Sequence, residues 1–382
     1  MLEPVYGGIA RIWLITTAAA LLLKTVPMMY WADPWGERHA EFRLLLGALG
    51  LYGLCQLPIE RLRRTHLNTN YFAWVGSGLA VACALALWLV LVKGSDAAPT
   101  NRIPWACALA ISSCALLTLA RLESTSGRLY LQVLWVTASF AGLLAVLASH
   151  TRGAYGLALA WPVLAFYLFT VNATPRVPRQ RQKVTLLVAA ALLVVAGLIP
   201  TRFVQQPLER LQTARTEMTG SQVSAAQGAN TSVGARLYMW QRSLEAIKTS
   251  PWIGYGRAGR MAHIQKWGDE AASSTVKSLG HLHNEYLQTL MDHGLWGLAS
   301  LLSYSLGMVL MVRKLRASHD VRHKALAAGL AGVVFMLMSS GLSNMNFAHN
   351  YYPTVLSLAV TLLVCAATRP STPARSGEAL PG

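Results

Sequence analysis

The sequence predicts an all-α, polytopic transmembrane helical bundle of about 10–12 spans, with one long outer loop that contains helices of its own. Three observations predict this fold. Of the 382 residues, 54% are hydrophobic and only 13% are charged, whereas soluble domains are about a quarter charged. Apolar runs of about 17–25 residues recur, which is the length that crosses a hydrocarbon core of about 30 Å. Basic residues concentrate in the short links between these runs, as the positive-inside rule describes.

The hydrophobic pattern places ten spans along the chain. They cover approximately residues 7–23, 42–57, 71–92, 103–120, 129–149, 154–171, 184–200, 294–312, 325–343 and 351–367. The chain is thereby divided into four parts. These are N-terminal transmembrane helices (1–200), a loop domain (201–293), C-terminal transmembrane helices (294–367) and a disordered tail (368–382).

The distribution of lysine and arginine predicts the orientation in the membrane. The links near 61–64, 121–128, 176–183 and 313–324 are rich in these residues and alternate with poorer ones. Because basic links stay in the cytoplasm, both termini are predicted to be cytoplasmic and the loop 201–293 to lie outside. The net charge of +17 therefore largely reflects topology, and no nucleic-acid partner is predicted.

The second half of the outer loop carries recognisable helix signals. Thr231 or Ser232 is predicted to cap a helix near 234–249, because hydroxyl side chains accept bonds from the free N–H groups of a first turn. Pro251 is predicted to end that helix. The following Gly254-Tyr255-Gly256 is typical of a turn.

Two histidines stand at the end of this loop, in the sequence Gly280-His281-Leu282-His283-Asn284-Glu285. Imidazoles exchange protons near neutral pH, so the pair predicts chemistry at the outer membrane surface. A helix that begins near His281 or Leu282 would place His283 in its first turn, where an anion is favoured. A neutral His283 there would accept a proton as a general base. The alternative is an interfacial histidine that only bonds a loop carbonyl, and for His281 the two interpretations are balanced.

Two arginines are the main candidates for binding an anionic substrate. Arg236 lies one turn before Trp240 on the predicted helix, and its planar guanidinium suits bidentate bonds to phosphate. The alternative is a surface arginine that snorkels along the membrane. Arg152 lies in the very short link 149–153, where a charge near the hydrocarbon is costly without a ligand or partner. The alternative interpretation of Arg152 is an arginine that anchors the chain at the membrane interface.

Other signals are weaker or absent. Arg257, Arg260 and Lys266 follow the Gly-Tyr-Gly turn, and they fit either a loop that closes over a charged substrate or a solvated face. No aspartate pair has the D-x-D spacing that holds a divalent metal on a sugar diphosphate, and no P-loop or G-x-S-x-G motif occurs. Neutralisation of phosphate by arginine is therefore predicted, without a metal or cofactor.

Taken together, these residues resemble the O-antigen ligase and polymerase superfamily. The resemblance rests on three motifs in order: an S-x-x-R-G-like link at 149–153, an R-x-x-x-W helix followed by a P-x-x-G-x-G turn, and H-N-x-x-L-Q followed by G-x-x-G. Their residues here are Ser149, Arg152, Gly153, Arg236, Trp240, Pro251, Gly254, Gly256, His283, Asn284, Leu287, Gln288, Gly294 and Gly297.

The resemblance implies a C-type membrane glycosyltransferase of the bacterial inner membrane, with its active site at the periplasmic face. The donor would be a glycan linked to undecaprenyl pyrophosphate, and in the ligases the acceptor is the lipid A–core oligosaccharide. Carried over by position, His283 would be the general base, while Arg152 and Arg236 would hold the pyrophosphate. His281, Asn284, Trp240 and Arg257 are expected to bind substrate beside them.

Three alternatives remain open at the level of sequence. An O-antigen polymerase would use the same donor and a second lipid-linked glycan as acceptor. A protein O-oligosaccharyltransferase is less favoured, because such relatives usually carry a larger C-terminal extracytoplasmic region. A transporter would show symmetric repeats or broken helices in matching halves, whereas the motifs here cluster in one outer loop and its flanks.

Overall fold

The computed structural model describes residues 4–34, 39–56, 67–94, 98–123, 128–171 and 229–367, and these residues form helices joined by short links. The helices are, in chain order, α1 (Pro4–Tyr30), α2 (His39–Gln56), α3 (Leu67–Lys93), α4 (Arg102–Glu123), α5 (Leu129–Ala148), α6 (Gly156–Phe166), α7 (Ser232–Ile247), α8 (Gly256–Glu270), α9 (Ser274–Ser278), α10 (Glu285–Arg316), α11 (Val321–Gly341) and α12 (Tyr351–Ala367).

The predicted fold class, a polytopic helical membrane protein, is confirmed. Six described helices are long and apolar enough to cross a membrane, namely Tyr6–Tyr30, Ala73–Lys93, Arg102–Glu123, Leu129–Ala148, Glu285–Arg316 and Val321–Gly341. The predicted runs 42–57, 154–171 and 351–367 fall on shorter helical segments. The predicted span 184–200, the loop residues 201–228 and the tail 368–382 lie outside the described residues, so the total number of spans stays a prediction.

Helix α4 is the centre of the bundle. It packs against α5, α11 and α12, while α1 packs against α10 and α2. Almost every residue of α4 from Ala106 onwards is buried, and many are alanine, serine or cysteine, whose small side chains let helix backbones approach closely. Large apolar side chains such as Trp74, Leu159 and Phe166 are exposed on the outer helices, as expected for a surface that faces lipid.

The second half of the outer loop has a small apolar core of its own. Helix α7 begins after Thr231, whose side chain accepts a hydrogen bond of 3.0 Å from Gly234 N, so the predicted cap is confirmed. The buried members of this core are Ala229, Ala235, Met239, Ile264, Trp267, Ala271, Val276, Leu282 and Met291. They join α7, α8 and α9 to the beginning of α10 and so hold the histidine segment against the bundle.

Candidate functional site

A break in α10 joins the outer loop to the membrane bundle. Gly294 has φ 60° and ψ −151°, so the helix is interrupted where the predicted span begins. In a regular helix Leu295 N would donate to Met291 O. Instead Leu295 N donates to Pro251 O at 2.8 Å, and Met291 O accepts from Tyr255 N, also at 2.8 Å. The turn between α7 and α8 thus replaces the lost helical bond and is fixed to the break.

Only glycine fits the contact between these two segments. A Cβ on Gly294 would collide with the backbone of Trp252, and a Cβ on Gly254 would lie 2.6 Å from Met291 O. Both glycines have positive φ, which glycine alone adopts readily. The P-x-x-G-x-G and G-x-x-G motifs are therefore two halves of one backbone contact.

The segment that carries both histidines is held through the peptide groups of Leu282. Its N–H donates to Gln288 Oε1 at 3.0 Å, and its carbonyl accepts from Trp240 Nε1 at 2.7 Å. The side chain of Leu282 is fully buried in the core of the outer loop. His281 and His283 therefore extend from either side of a residue that is fixed at three points.

The predicted position of His283 in the first turn of a helix is wrong. Helix α10 begins at Glu285, and Asn284 is its N-cap, with its side chain accepting bonds of 3.0 Å from the N–H groups of Tyr286 and Leu287. Asparagine is among the strongest N-capping residues, so the helix starts after it. His283 precedes the cap with φ 53°, a left-handed conformation that histidine adopts more often than most residues.

The two imidazoles lie against each other. Their ring centroids are 4.0 Å apart at an interplanar angle of 58°, and the Nδ1 atom of each is buried without a hydrogen-bond partner among the described residues. Burial, together with the charges of Arg260, His349 and Arg236, lowers the pKa of His281 to about 4. Burial, together with His281 and Arg236, lowers the pKa of His283 to about 3. Both rings are therefore neutral near pH 7.

The structure brings Arg236, Trp240 and Asn284 to this pair. Arg236 lies one turn before Trp240 on α7, and its charge acts on both histidines. Trp240 and Asn284 have structural contacts here: the indole N–H holds the Leu282 carbonyl, and the amide of Asn284 donates to Leu342 O at 3.2 Å. Binding of substrate by these side chains stays a prediction.

Arg152 lies at the same end of the bundle but belongs to a different segment of the chain, the 149–153 link. It begins a short 3-10 turn (Arg152–Ala154) that contacts α4 and α11. The neighbouring Gly153 lies so close to the end of α11 that an added Cβ would be 2.6 Å from Ser343 Oγ. Since Asn284 donates to Leu342 O, the backbone of the 149–153 link and the histidine segment meet at the C-terminal end of α11.

Arg260 is a buried residue of the site, whereas the sequence left it open between a loop that closes over a charged substrate and a solvated face. Its side chain is buried, its Nε donates to Asp292 Oδ1 at 2.6 Å, and its Nη1 donates to Gly280 O at 2.5 Å. It therefore ties the residue before His281 to α10. The available signal was its position one and two turns before Ile264 and Trp267, on the apolar face of α8.

A cavity of about 370 Å³, with several charged side chains in its lining, opens beside His281. It extends along α10 from Glu285 to Tyr304, and Arg257 and the exposed Gly280 lie at its opening. Ion pairs line its wall: Lys24 Nζ is 3.0 Å from Glu41 Oε2, and Arg260 is paired with Asp292. Within the described segments, no group of three or more His, Cys, Asp or Glu side chains is arranged to hold a metal ion.

Comparison with known protein families finds a match for the part of the chain that contains the histidine segment. Residues 137–302 match the O-antigen ligase family. The predicted resemblance to that superfamily is confirmed over this segment, which includes the 149–153 link, α7, the Pro251–Gly256 turn and the histidine segment. The chain is also similar to an uncharacterized protein of Haemophilus influenzae, with 32% identity over 110 residues, 28% of this chain and 27% of the relative. The match thus spans only about a quarter of that relative.

The family match and the fold together support a multi-pass membrane enzyme of the O-antigen ligase or polymerase type.

Proposed function

We propose that the protein is an O-antigen ligase that transfers a glycan from undecaprenyl pyrophosphate to the lipid A–core oligosaccharide at the periplasmic face of the inner membrane. The observation that carries this proposal is the pair His281 and His283, whose buried Nδ1 atoms have no hydrogen-bond partner among the described residues. A buried polar atom without a partner costs about 1–3 kcal/mol. A substrate hydroxyl or phosphate oxygen that supplies the missing bond removes that penalty.

In this scheme His283 is the general base. Its neutral ring accepts the proton of an acceptor sugar hydroxyl while the hydroxyl oxygen attacks the anomeric carbon of the donor. The bond from that carbon to the phosphate oxygen breaks, and its electron pair leaves with the pyrophosphate. Direct attack inverts the anomeric configuration. Arg236 and Arg152 stabilise the charge that develops on the pyrophosphate, and no metal or cofactor is proposed.

Donor binding is expected to make His283 a better base. Burial and the nearby charges lower the pKa of His283 to about 3 in the site without substrate, and an imidazole with that pKa accepts protons weakly. A diphosphate bound at Arg236 adds negative charge beside the ring, which raises its pKa toward the working range. We therefore infer that the donor binds before the acceptor hydroxyl is deprotonated.

The distance along α10 supports a periplasmic site. Residues 295–316 of this helix are about 33 Å long at 1.5 Å per residue, close to the thickness of the hydrocarbon core. The basic residues Arg313, Lys314 and Arg316 end the helix, while the histidine segment lies before its start. The positive-inside rule places the basic end in the cytoplasm, so we assign the histidines to the periplasmic side and both termini to the cytoplasm.

The direct test is transfer by the purified protein in lipid nanodiscs. Donor and lipid A–core are supplied together without an energy source, and products are separated on a gel. We expect a ladder of glycan-bearing lipid A–core from the wild type and none from His283→Ala. His263→Ala is the matched control, since His263 is a half-buried histidine of α8 that contacts Tyr255; it should keep the wild-type rate.

The other outcomes decide among the alternatives. Longer lipid-linked glycans formed from donor alone would identify a polymerase instead. Transfer at the normal rate by His283→Ala would remove the proposed base. Uptake of donor into vesicles without any transfer would identify a carrier.

A further inference from the structure

The cavity beside His281 differs in chemistry from a phosphate site. Among the described residues, its charged lining consists of three cations and three carboxylates: Lys24, Arg257 and Arg260, with Glu41, Glu285 and Asp292. Two of the cations are already paired with carboxylates, at 3.0 Å and 2.6 Å. A cavity whose formal charges balance offers a diphosphate no net attraction, so its ligand is expected to be uncharged and polar.

The paired groups keep much of their hydrogen-bonding capacity. A guanidinium has five N–H donors, and a carboxylate accepts about four bonds, so one ion pair leaves sites of both kinds open. Glu285 Oε2 accepts from Asn346 N at 2.7 Å and from Phe347 N at 3.2 Å, which fixes the 345–350 loop as one wall. A lining of clustered donors and acceptors suits a ligand that carries many hydroxyl groups, each of which both donates and accepts.

The inner end of the cavity is apolar and aromatic. Leu301, Tyr304 and Phe347 line it, and the rings of Tyr304 and Phe347 are 5.2 Å apart at an angle of 51°. Aromatic rings present broad apolar faces, against which the C–H face of a pyranose ring packs. Hydroxyl-binding walls and an aromatic end together fit a sugar ring, and about 370 Å³ is at the low end of small-ligand pockets.

We propose that this cavity is a saccharide subsite that holds a sugar residue next to the reacting one. The inference rests on the proposed function, because a glycosyl transfer at His283 is what requires a sugar to be held beside His281. The residue bound there belongs either to the donor glycan or to the core oligosaccharide, and the chemistry of recognition is the same for both.

Gly280 offers a way to narrow this cavity. It lines the opening, and a Cβ added to it meets no atom within 4 Å. We expect Gly280→Leu and Gly280→Trp to raise the Kd for glycan by at least about tenfold, which corresponds to about 1.4 kcal/mol of binding free energy. The Kd of Gly280→Ala should stay within about threefold of the wild-type value. Ala348→Trp, at an exposed position of the same lining, should act in the same direction. Gly50→Trp is the matched control, because Gly50 is exposed on α2 with no neighbour within 4 Å.

Binding is measured with two lipid-free probes, so that the result does not depend on transfer. One probe is the core oligosaccharide released from lipid A–core by mild acid, and the other is the glycan released from the donor. Saturation-transfer NMR on the protein in nanodiscs reports each separately. The probe whose binding is lost in Gly280→Trp and Ala348→Trp identifies the source of the sugar, and steady-state KM for that substrate should rise in parallel.

The outcomes separate this inference from the proposed function. Glycan binding by the wild type that these two variants abolish supports the subsite, even if no transfer is detected and the ligase proposal fails. Millimolar concentrations of both probes that give no signal with the wild type overturn the subsite. Equal binding by the wild type and by both tryptophan variants overturns it as well.

Discussion

Asn284 links the stability of α10 to the position of His283, and its replacement measures how closely the two are coupled. Asn284→Ala removes an N-cap, which costs about 0.5–2 kcal/mol, and a hydrogen bond to Leu342 O, which is worth about 0.5–1.5 kcal/mol. The total loss of stability is therefore about 1–3.5 kcal/mol. Because His283 adjoins the cap in a left-handed conformation, we expect its imidazole to lose its fixed position. Displacement of a general base, the role proposed for His283, by about 1 Å reduces rates by about 10²-fold.

Two further variants separate position from stability. Asp320→Ala removes the N-cap of α11, where the aspartate accepts from Arg322 N at 2.8 Å, at the end of the bundle away from the histidines. It should lower the melting temperature without changing kcat. Asn284→Asp keeps the acceptor for Tyr286 N and Leu287 N and loses only the donor to Leu342 O. Its carboxylate should also raise the pKa of His283, because a negative charge favours the imidazolium.

The assay combines thermal unfolding in detergent with initial rates of glycan transfer. We expect kcat of Asn284→Ala to fall about 10²-fold, kcat of Asn284→Asp to fall less, and kcat of Asp320→Ala to remain at the wild-type value. If Asn284→Ala is destabilised but transfers at the wild-type rate, the position of His283 does not depend on the cap. The reasoning from geometry to rate would then be refuted.

Four other predictions concern the pH dependence and the stability of the same region. Burial lowers the pKa of His283 to about 3 in the free protein, so kcat/KM should not decrease between pH 7 and pH 5. The acid limb of kcat, which reports the substrate complex, should lie closer to neutral pH. A decrease of kcat/KM with a midpoint near pH 6.5 contradicts this prediction. The pKa of His283 is about 3 in the folded protein and about 6.5 in an unfolded chain, so between these pH values only the unfolded state binds the proton. The free energy of unfolding should therefore fall as the pH drops from about 6.5 toward 3. Arg260→Met leaves Asp292 as an unpaired buried carboxylate and should cost about 3–5 kcal/mol in thermal or denaturant unfolding, and adding Asp292→Leu should recover most of that loss. Gly294→Ala should destabilise by at least about 1–3 kcal/mol through its positive φ and its contact with Trp252, while Gly50→Ala should not.

The membrane bundle was predictable because it depends on composition and period. Runs of apolar residues long enough to span the bilayer identified α4 and α5 within a few residues, since each helix satisfies its own backbone bonds and needs no distant partner. The cap at Thr231 was predictable for the same reason: a capping bond is local, between a side chain and an N–H group three residues later.

The site was only partly predictable, because its geometry depends on contacts between distant segments. The sequence indicated the histidines and Arg236 by residue type and motif order. It did not show that Asn284 would displace the helix start beyond His283, or that the backbone at Gly294 would exchange a helical bond for one to Pro251. The sequence left Arg260 open between a loop over a charged substrate and a solvated face, because a charged residue on such a helix usually faces water. Asp292 and the Gly280 carbonyl hold this arginine in the interior.

The arrangement explains why the three motifs contain more residues than the chemistry requires. Trp240 and Gln288 bind the two peptide groups of Leu282 from opposite directions, so the helix of one motif and the helix of another fix the segment between His281 and His283. The backbone contact between Gly254 and Gly294 fixes the position of α7 relative to α10. At each of these glycines, the backbone of the other segment occupies the space that a Cβ would need. Two neutral imidazoles can stay packed without hydrogen-bond partners at Nδ1 only if such constraints hold them there. We therefore expect substitutions at Gln288, Gly254 and Gly294, which only hold this segment in place, to change kcat well before they change substrate affinity.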